Sequence, residues 1–197
     1  MLRHHERMHP FDEALDLRAS ALQDAPHEFT GTTHPAYANM VGPFGGTTAA
    51  QLLQAALLHP QRLGEPVALT VNFAAPVADG DIRFLARPVR TNRSTQHWII
   101  EAHQHNGVVA TATAVFAVRR ETWSDAEAVM PANMPAPDAL PRMSVKGMPA
   151  WPQRYDMRFV EGHFLPLLMS RSNPIPARPC GCATNPSAPW TLPRWRP

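Results

Sequence analysis

Between residues 47 and 59 the chain is almost wholly Ala and Leu, broken by Thr47, Thr48, Gln51 and Gln54 on one narrow stripe and closed by His59. This pattern predicts a helix over 47–59 that is apolar around most of its circumference. Such a helix is buried rather than laid on a surface, and its small alanines let a sheet approach closely. Further on, the period changes from that of a helix to two. In PVALTVNFA, Val67, Leu69, Val71 and Phe73 share a face; in IRFLARPVR, Ile82, Phe84 and Ala86 stand against Arg83 and Arg87, and Pro88 marks an edge or a bulge. TQHWIIEAHQ puts Trp98, Ile100 and Ala102 opposite His97, Glu101 and His103, and VVATATAVFAVRR completes the set. VADGD turns the chain at Asp79-Gly80. HNG at 105–107 marks a tight hairpin, because Asn-Gly accepts the positive φ of a type I′ turn. Another strand is expected in HEFTGTTHPAYA. One long buried helix followed by a four-stranded antiparallel meander makes an α+β chain, and periodicity carries the fold no further.

The prolines divide the chain. Most of the 22 fall after residue 130, and MPANMPAPDALPRM is neither helix nor central strand, since proline removes a backbone donor and restricts the residue before it. The expected organisation is an ordered domain over 1–123, a Pro-rich linker over 124–150, and a final part over 151–197 that begins in order and decays. A chain of 197 residues has room for one ordinary domain and an extension. The net charge of +2 and the scattered arginines argue against nucleic acid. No apolar run reaches the ~18 residues of a membrane span, and MLRHHERMHPFDEALDL lacks the apolar core of a secretory leader. Cys180 and Cys182, one glycine apart, can neither staple a fold nor complete a metal site. These features point to a cytoplasmic, reducing compartment.

The candidate chemistry starts with YANMVGPFGGTTAAQLLQAALLHP. The helix start carries no carboxylate and no lysine, and GPFGG fits neither a phosphate loop nor G-x-G-x-x-G. No G-x-S-x-G elbow precedes a serine. Taken with LTVNFAAPVADGD and RPVRTNRSTQHWIIEAHQHNGVVATATAVFAVRRETW, the segment resembles the first half of a type II, TesB-like acyl-CoA thioesterase, of the double-hotdog, thioesterase-like superfamily. The resemblance covers about residues 11–123 and resumes at WPQRYDMRFVEG, which is similar to the opening strand of a second hotdog. It implies an α+β hotdog fold, an antiparallel sheet wrapped around a long central helix, with the second hotdog incomplete.

The resemblance also implies that the start of the central helix faces a thioester. The unpaired N–H groups of a first helical turn can polarise a carbonyl or hold an oxyanion, and glycine lets substrate approach the backbone. Gly45 and Gly46 are therefore the candidate catalytic donors, with Asn39, Gly42, Phe44 and Thr47 around them on the substrate. Gln51 and Gln54 have alternatives open: orienting water, lining an acyl pocket, or bonding across a hotdog–hotdog interface. Arg90 and Arg93, flanking Asn92 at a strand junction, suit the phosphates of CoA, or are surface arginines at a turn. No cofactor is expected besides acyl-CoA as substrate.

The activating carboxylate is not identified. In the double-hotdog family the catalytic Asp, Thr and Gln belong to the second unit, and this chain departs from the family pattern after about His163. The tail from there has neither strand alternation nor helical period, as a shifted reading frame or truncated gene would produce. His97, His103, His105 and Glu101 share a strand face, where same-face residues diverge from any one centre, so no metal is expected. A hydratase of the MaoC type would want His and Asp at the helix entrance; only His34 is near. Two readings stand: an acyl-CoA thioesterase of fatty-acid metabolism, or an inactive acyl-CoA-binding or structural hotdog. Either is expected to pair with another hotdog as a homo-oligomer.

Overall fold

The computed structural model describes residues 8–20, 27–105 and 107–162. Residues up to Val160 make one compact unit; the second, from Glu161 onward, contributes only two described residues. His4, His5, Cys180, Cys182 and the tail after Gly162 thus lie outside the described residues. The elements are α1 (Pro10–Ala14), β1 (Arg18–Ala19), β2 (Glu28–Thr32), α2 (Gly45–Leu57), β3 (Glu65–Phe73), β4 (Asp81–Thr91), β5 (Thr95–Gln104) and β6 (Gly107–Ala117). The six strands form one antiparallel sheet in the order β1-β2-β4-β5-β6-β3.

This is the hotdog arrangement, with α2 lying across the inner face of the sheet. Alternation works as the residue pattern demands: Ile82, Phe84, Ala86, Trp98, Ile100 and Ala102 are all buried on that face. Ala110, Ala112 and Ala114 of β6 and Leu52, Ala55 and Ala56 of α2 complete the core. The expected meander is corrected. Only β4, β5 and β6 follow one another across the sheet; β3 crosses to the far edge and pairs with β6 alone. Its apolar face is also corrected, since a bulge between Pro66 and Ala68 takes Val67 out of the alternation and leaves Leu69, Val71 and Phe73 in register with Ala114, Ala112 and Ala110.

Three further differences are local. The helix begins two residues earlier than the Ala/Leu pattern suggests, because Gly45 and Gly46 are its first turn. Its polar stripe faces inward: Thr47, Thr48 and Gln51 are buried. At the β5–β6 hairpin His105 holds a positive φ (51°), and Gly107 already belongs to β6. Pro88 does mark a bulge, between Pro88 and Arg90.

Two buried glutamines close the ends of β5. Gln96 accepts from Leu63 N–H (2.9 Å) and Trp98 Nε1 (3.1 Å) and donates to the Gln61 carbonyl (2.9 Å) and Thr91 Oγ1 (2.8 Å). Gln104 accepts from Ala78 N–H (2.8 Å) and donates to the carbonyls of Ala78 (2.8 Å) and Asp81 (3.2 Å). Each buried amide is satisfied, as burial requires, and each pins a crossing loop to one end of the sheet.

The Pro-rich stretch from 124 has no strand or α-helix; 3-10 turns occur at Pro137–Ala139 and Trp151–Arg154. Residues 151–162, expected to hold the opening strand of a second hotdog, are not paired into a sheet. Instead, residues 151–155 pack on the first hotdog. Trp151 stacks on Phe44 (centroids 4.2 Å, planes 7° apart), Tyr155 meets Phe44 edge-on at 6.2 Å, and Trp151 N–H donates to the Ala38 carbonyl at 3.2 Å.

Candidate functional site at the start of the central helix

The approach to α2 is a built turn. Asn39 N–H donates to the Gly42 carbonyl (2.8 Å), and Gly42 holds φ +64°, a region open to glycine. A β-carbon on Gly42 would collide with the Val77 carbonyl oxygen, so this glycine is required by both its angle and its neighbour. Phe44 is the N-cap and offers no side-chain acceptor. Its carbonyl accepts Thr47 Oγ1 (2.6 Å), Thr47 N–H (3.0 Å) and Thr48 N–H (3.4 Å). That leaves the N–H groups of Gly45 and Gly46 without an acceptor among the described residues. They carry the partial positive charge of the helix end.

Gly45 opens on a cleft of about 410 Å³ walled by Val41, Pro43, Phe73 and the 74–77 loop, with Thr48 beside it. None of the described residues lining it is an acid or a base. Phe73 sits so close that a β-carbon on Gly45 would stand 3.1 Å from its ring. Gly46 turns elsewhere, and a β-carbon there would strike the Phe44 ring.

The sequence-derived candidates separate into three groups. Gly42, Phe44, Gly45, Gly46 and Thr47 come together at the helix start. Asn39 is beside them, its Oδ1 accepting Trp151 Nε1 at 3.3 Å. Gln51 is buried one turn further on, its Nε2 donating to the carbonyls of Ala14 (2.8 Å) and Thr32 (2.9 Å); both donors tie α1 and β2 to the helix. Gln54 is half-buried.

Arg90, Asn92 and Arg93 lie at the other end of the domain. Arg90 Nε donates to Asn92 Oδ1 (3.0 Å), and Asn92 Nδ2 to Thr95 Oγ1 (3.1 Å), within the exposed β4–β5 hairpin. That hairpin adjoins Thr95, the first residue of β5, whereas the loop walling the cleft is fastened to Gln104, the last. Ten residues of strand, roughly 30 Å, divide them. The two groups therefore do not form one site within a single chain.

Two histidine arrangements were not legible in the residue pattern. His34 Nδ1 accepts Ala36 N–H (3.1 Å) and its Nε2 lies 3.0 Å from Glu13 Oε2, so both ring nitrogens are engaged. His59, just beyond α2, is 3% exposed; its Nδ1 accepts Gln61 N–H (3.1 Å), and its Nε2 is 2.6 Å from His27 Nδ1. Burial, with His27 adding to it, holds the His59 ring below the usual imidazole range. His103 pairs with Glu101 (3.0 Å) on the outer face, and no cluster of three or more metal-ligating side chains occurs among the described residues. No helix among those residues is long and apolar enough to cross a membrane.

Comparison with known proteins bears on what this helix start is for. Residues 34–117 match the family model of the acyl-CoA thioesterase N-terminal domain. A conserved hotdog-fold protein of unknown function from Alicyclobacillus acidocaldarius is 49% identical (TM-score 0.73), the match covering 79% of this chain and 57% of that one. The acyl-CoA thioesterase II TesB2 from Mycobacterium marinum is 27% identical (TM-score 0.55), over 67% of this chain and 47% of that one. A tesB protein from Mycobacterium avium subspecies paratuberculosis shares the fold at 23% identity (TM-score 0.55), over 66% and 48%. No curated protein matches the chain. The chain thus spans about half the length of these structural relatives.

Proposed function

We propose, from the match of residues 34–117 to the family model of acyl-CoA thioesterase N-terminal domains, that this chain binds acyl-CoA thioesters at the start of α2 and takes part in their hydrolysis. The observation that carries the reading is the pair of unpaired amides at Gly45 and Gly46, with Gly45 opening on an apolar cleft. The acyl chain suits the cleft; the thioester oxygen suits the helix end. As water adds to the carbonyl carbon, negative charge gathers on that oxygen, and a preorganised amide donor is worth about 3 kcal/mol to such a transition state. The carbon–sulfur bond then breaks, giving the free acid and CoA as a thiol. Asn39, Gly42, Phe44 and Thr47 shape the entrance. No cofactor is required, since CoA arrives with the substrate.

The group that activates water belongs, in this proposal, to a second hotdog. The described residues lining the cleft hold no acid or base, and the chain spans about half of its relatives. Edge strand β3, with Leu69 and Phe73 exposed on its inner face, is the surface through which a homo-oligomer would form. Across such a pair, Arg90, Asn92 and Arg93 of one copy are candidates for the CoA phosphates of the other. The cellular setting that goes with this reading is the fatty-acid metabolism of the cytoplasm.

A second reading is favoured by the same acid-free cleft: an acyl-CoA-binding hotdog without turnover, acting as a subunit beside another hotdog. Purified chain, a panel of acyl-CoA substrates and a thiol reagent decide between them. CoA release above a heat-killed control supports hydrolysis. Saturable binding without release supports the second reading, and neither binding nor release removes both.

A further inference from the structure

We infer that the Thr48 hydroxyl is a second hydrogen-bond donor to the acyl oxygen, beside the Gly45 amide. This inference rests on the proposed thioester site and assigns the group that completes it. A threonine inside a helix commonly turns its hydroxyl back onto the carbonyl four residues earlier. For Thr48 that carbonyl is Phe44, which already accepts the Thr47 hydroxyl and two amides. The Thr48 oxygen makes no hydrogen bond with any described residue.

Thr48 is only 1% exposed, and among the described residues no fully buried side-chain oxygen or nitrogen lacks a partner. Its unpartnered hydroxyl is therefore the part of the residue that reaches open space, and the space Thr48 lines is the cleft. A lone hydroxyl in an apolar wall is costly until something bonds it. Gly45 and Thr48, three residues apart, share one face of α2, whereas a β-carbon on Gly46 would run into the Phe44 ring. One amide and one hydroxyl thus converge on a cleft whose remaining walls are apolar.

The test uses two non-hydrolysable probes of equal chain length, measured by calorimetry on the full chain. One is a dethia acyl-CoA, in which a CH2 replaces sulfur and the carbonyl stays as a ketone. The other is an S-alkyl-CoA thioether, which lacks the oxygen. Wild type is expected to bind the ketone about tenfold more tightly than the thioether; Thr48→Val should cut that preference roughly fivefold, and Thr48→Ser should keep it. Thermal melts check folding, and should the Val variant unfold, Thr48→Ala against Thr48→Ser carries the same comparison. A preference unchanged in Thr48→Val, or absent in a wild type that binds both probes, overturns the inference and leaves the thioester reading standing. A wild type that binds neither probe overturns both.

Discussion

At the scale of single residues, the helix start combines positions needed for shape with positions left free. Gly42 is needed for shape. Gly42→Ala should cost at least about 2 kcal/mol in chemical denaturation, from a left-handed φ and contact with the Val77 carbonyl. Gln51 is also structural, and Gln51→Leu should destabilise by about 2 kcal/mol because the Ala14 and Thr32 carbonyls both lose a donor. A large loss of ligand affinity in a Gln51→Leu variant of unchanged stability would instead return it to the substrate.

His59 gives the chain a pH dependence of definite sign. The folded ring resists protonation, so below the ordinary value of 6.5 the unfolded chain binds the proton more readily. Stability contributed by His59 is complete above that value and is lost as pH falls through it toward the lowered folded value. Thermal melts between pH 7 and pH 5 should show a falling midpoint, with a flatter slope in His59→Gln. A wild-type midpoint that does not fall over this window removes the assignment.

Among the elements, legibility followed how local the information was. The faces of β4 and β5 were readable because Ile82, Phe84, Trp98 and Ile100 obey a period of two and are buried on it. The place of β3 was not readable: which strand it pairs with depends on the crossing loop pinned by Gln104, far away in sequence. The helix start at Gly45 was missed because glycine carries no helical signal of its own. At the candidate site, Gly45 and its neighbours were named through the family resemblance, and the structure brings Gly42, Phe44, Gly45, Gly46 and Thr47 together at the helix start. The Thr48 proposal had no such signal, since only the folded structure shows that the Phe44 carbonyl is already taken.

The Pro-rich stretch was readable as irregular, but not as fastened. Arg158 grips Asp156 through both carboxylate oxygens (3.0 Å each) and donates to the carbonyls of Pro137 (2.6 Å) and Leu140 (3.0 Å). Bidentate geometry of this kind is specific to arginine. Arg158→Ala should expose residues 137–158 to limited proteolysis at several times the wild-type rate, whereas Arg93→Ala should not.

For the whole molecule, the decisive feature is a sheet with one edge unfinished. At the β1 edge the strand has only two residues, a blunt terminus; at the other, β3 offers nine. Light scattering should therefore find a dimer, and Leu69→Arg should raise its dissociation constant by at least about tenfold, since an edge-to-edge contact would bury the introduced charge. An unchanged dimer would move the interface elsewhere.

The stacking of Trp151 on Phe44 gives the chain an optical gauge of its own. Of the five tryptophans, Trp190 and Trp195 lie outside the described residues; Trp98 is sealed in the core and Trp123 is 83% bathed in solvent, so neither of these two has reason to respond to events at the helix start. Trp151 does: its indole lies 4.2 Å from the ring of the residue that caps α2. A change in emission colour during titration that Trp151→Phe abolishes would report arrivals at that end without any label.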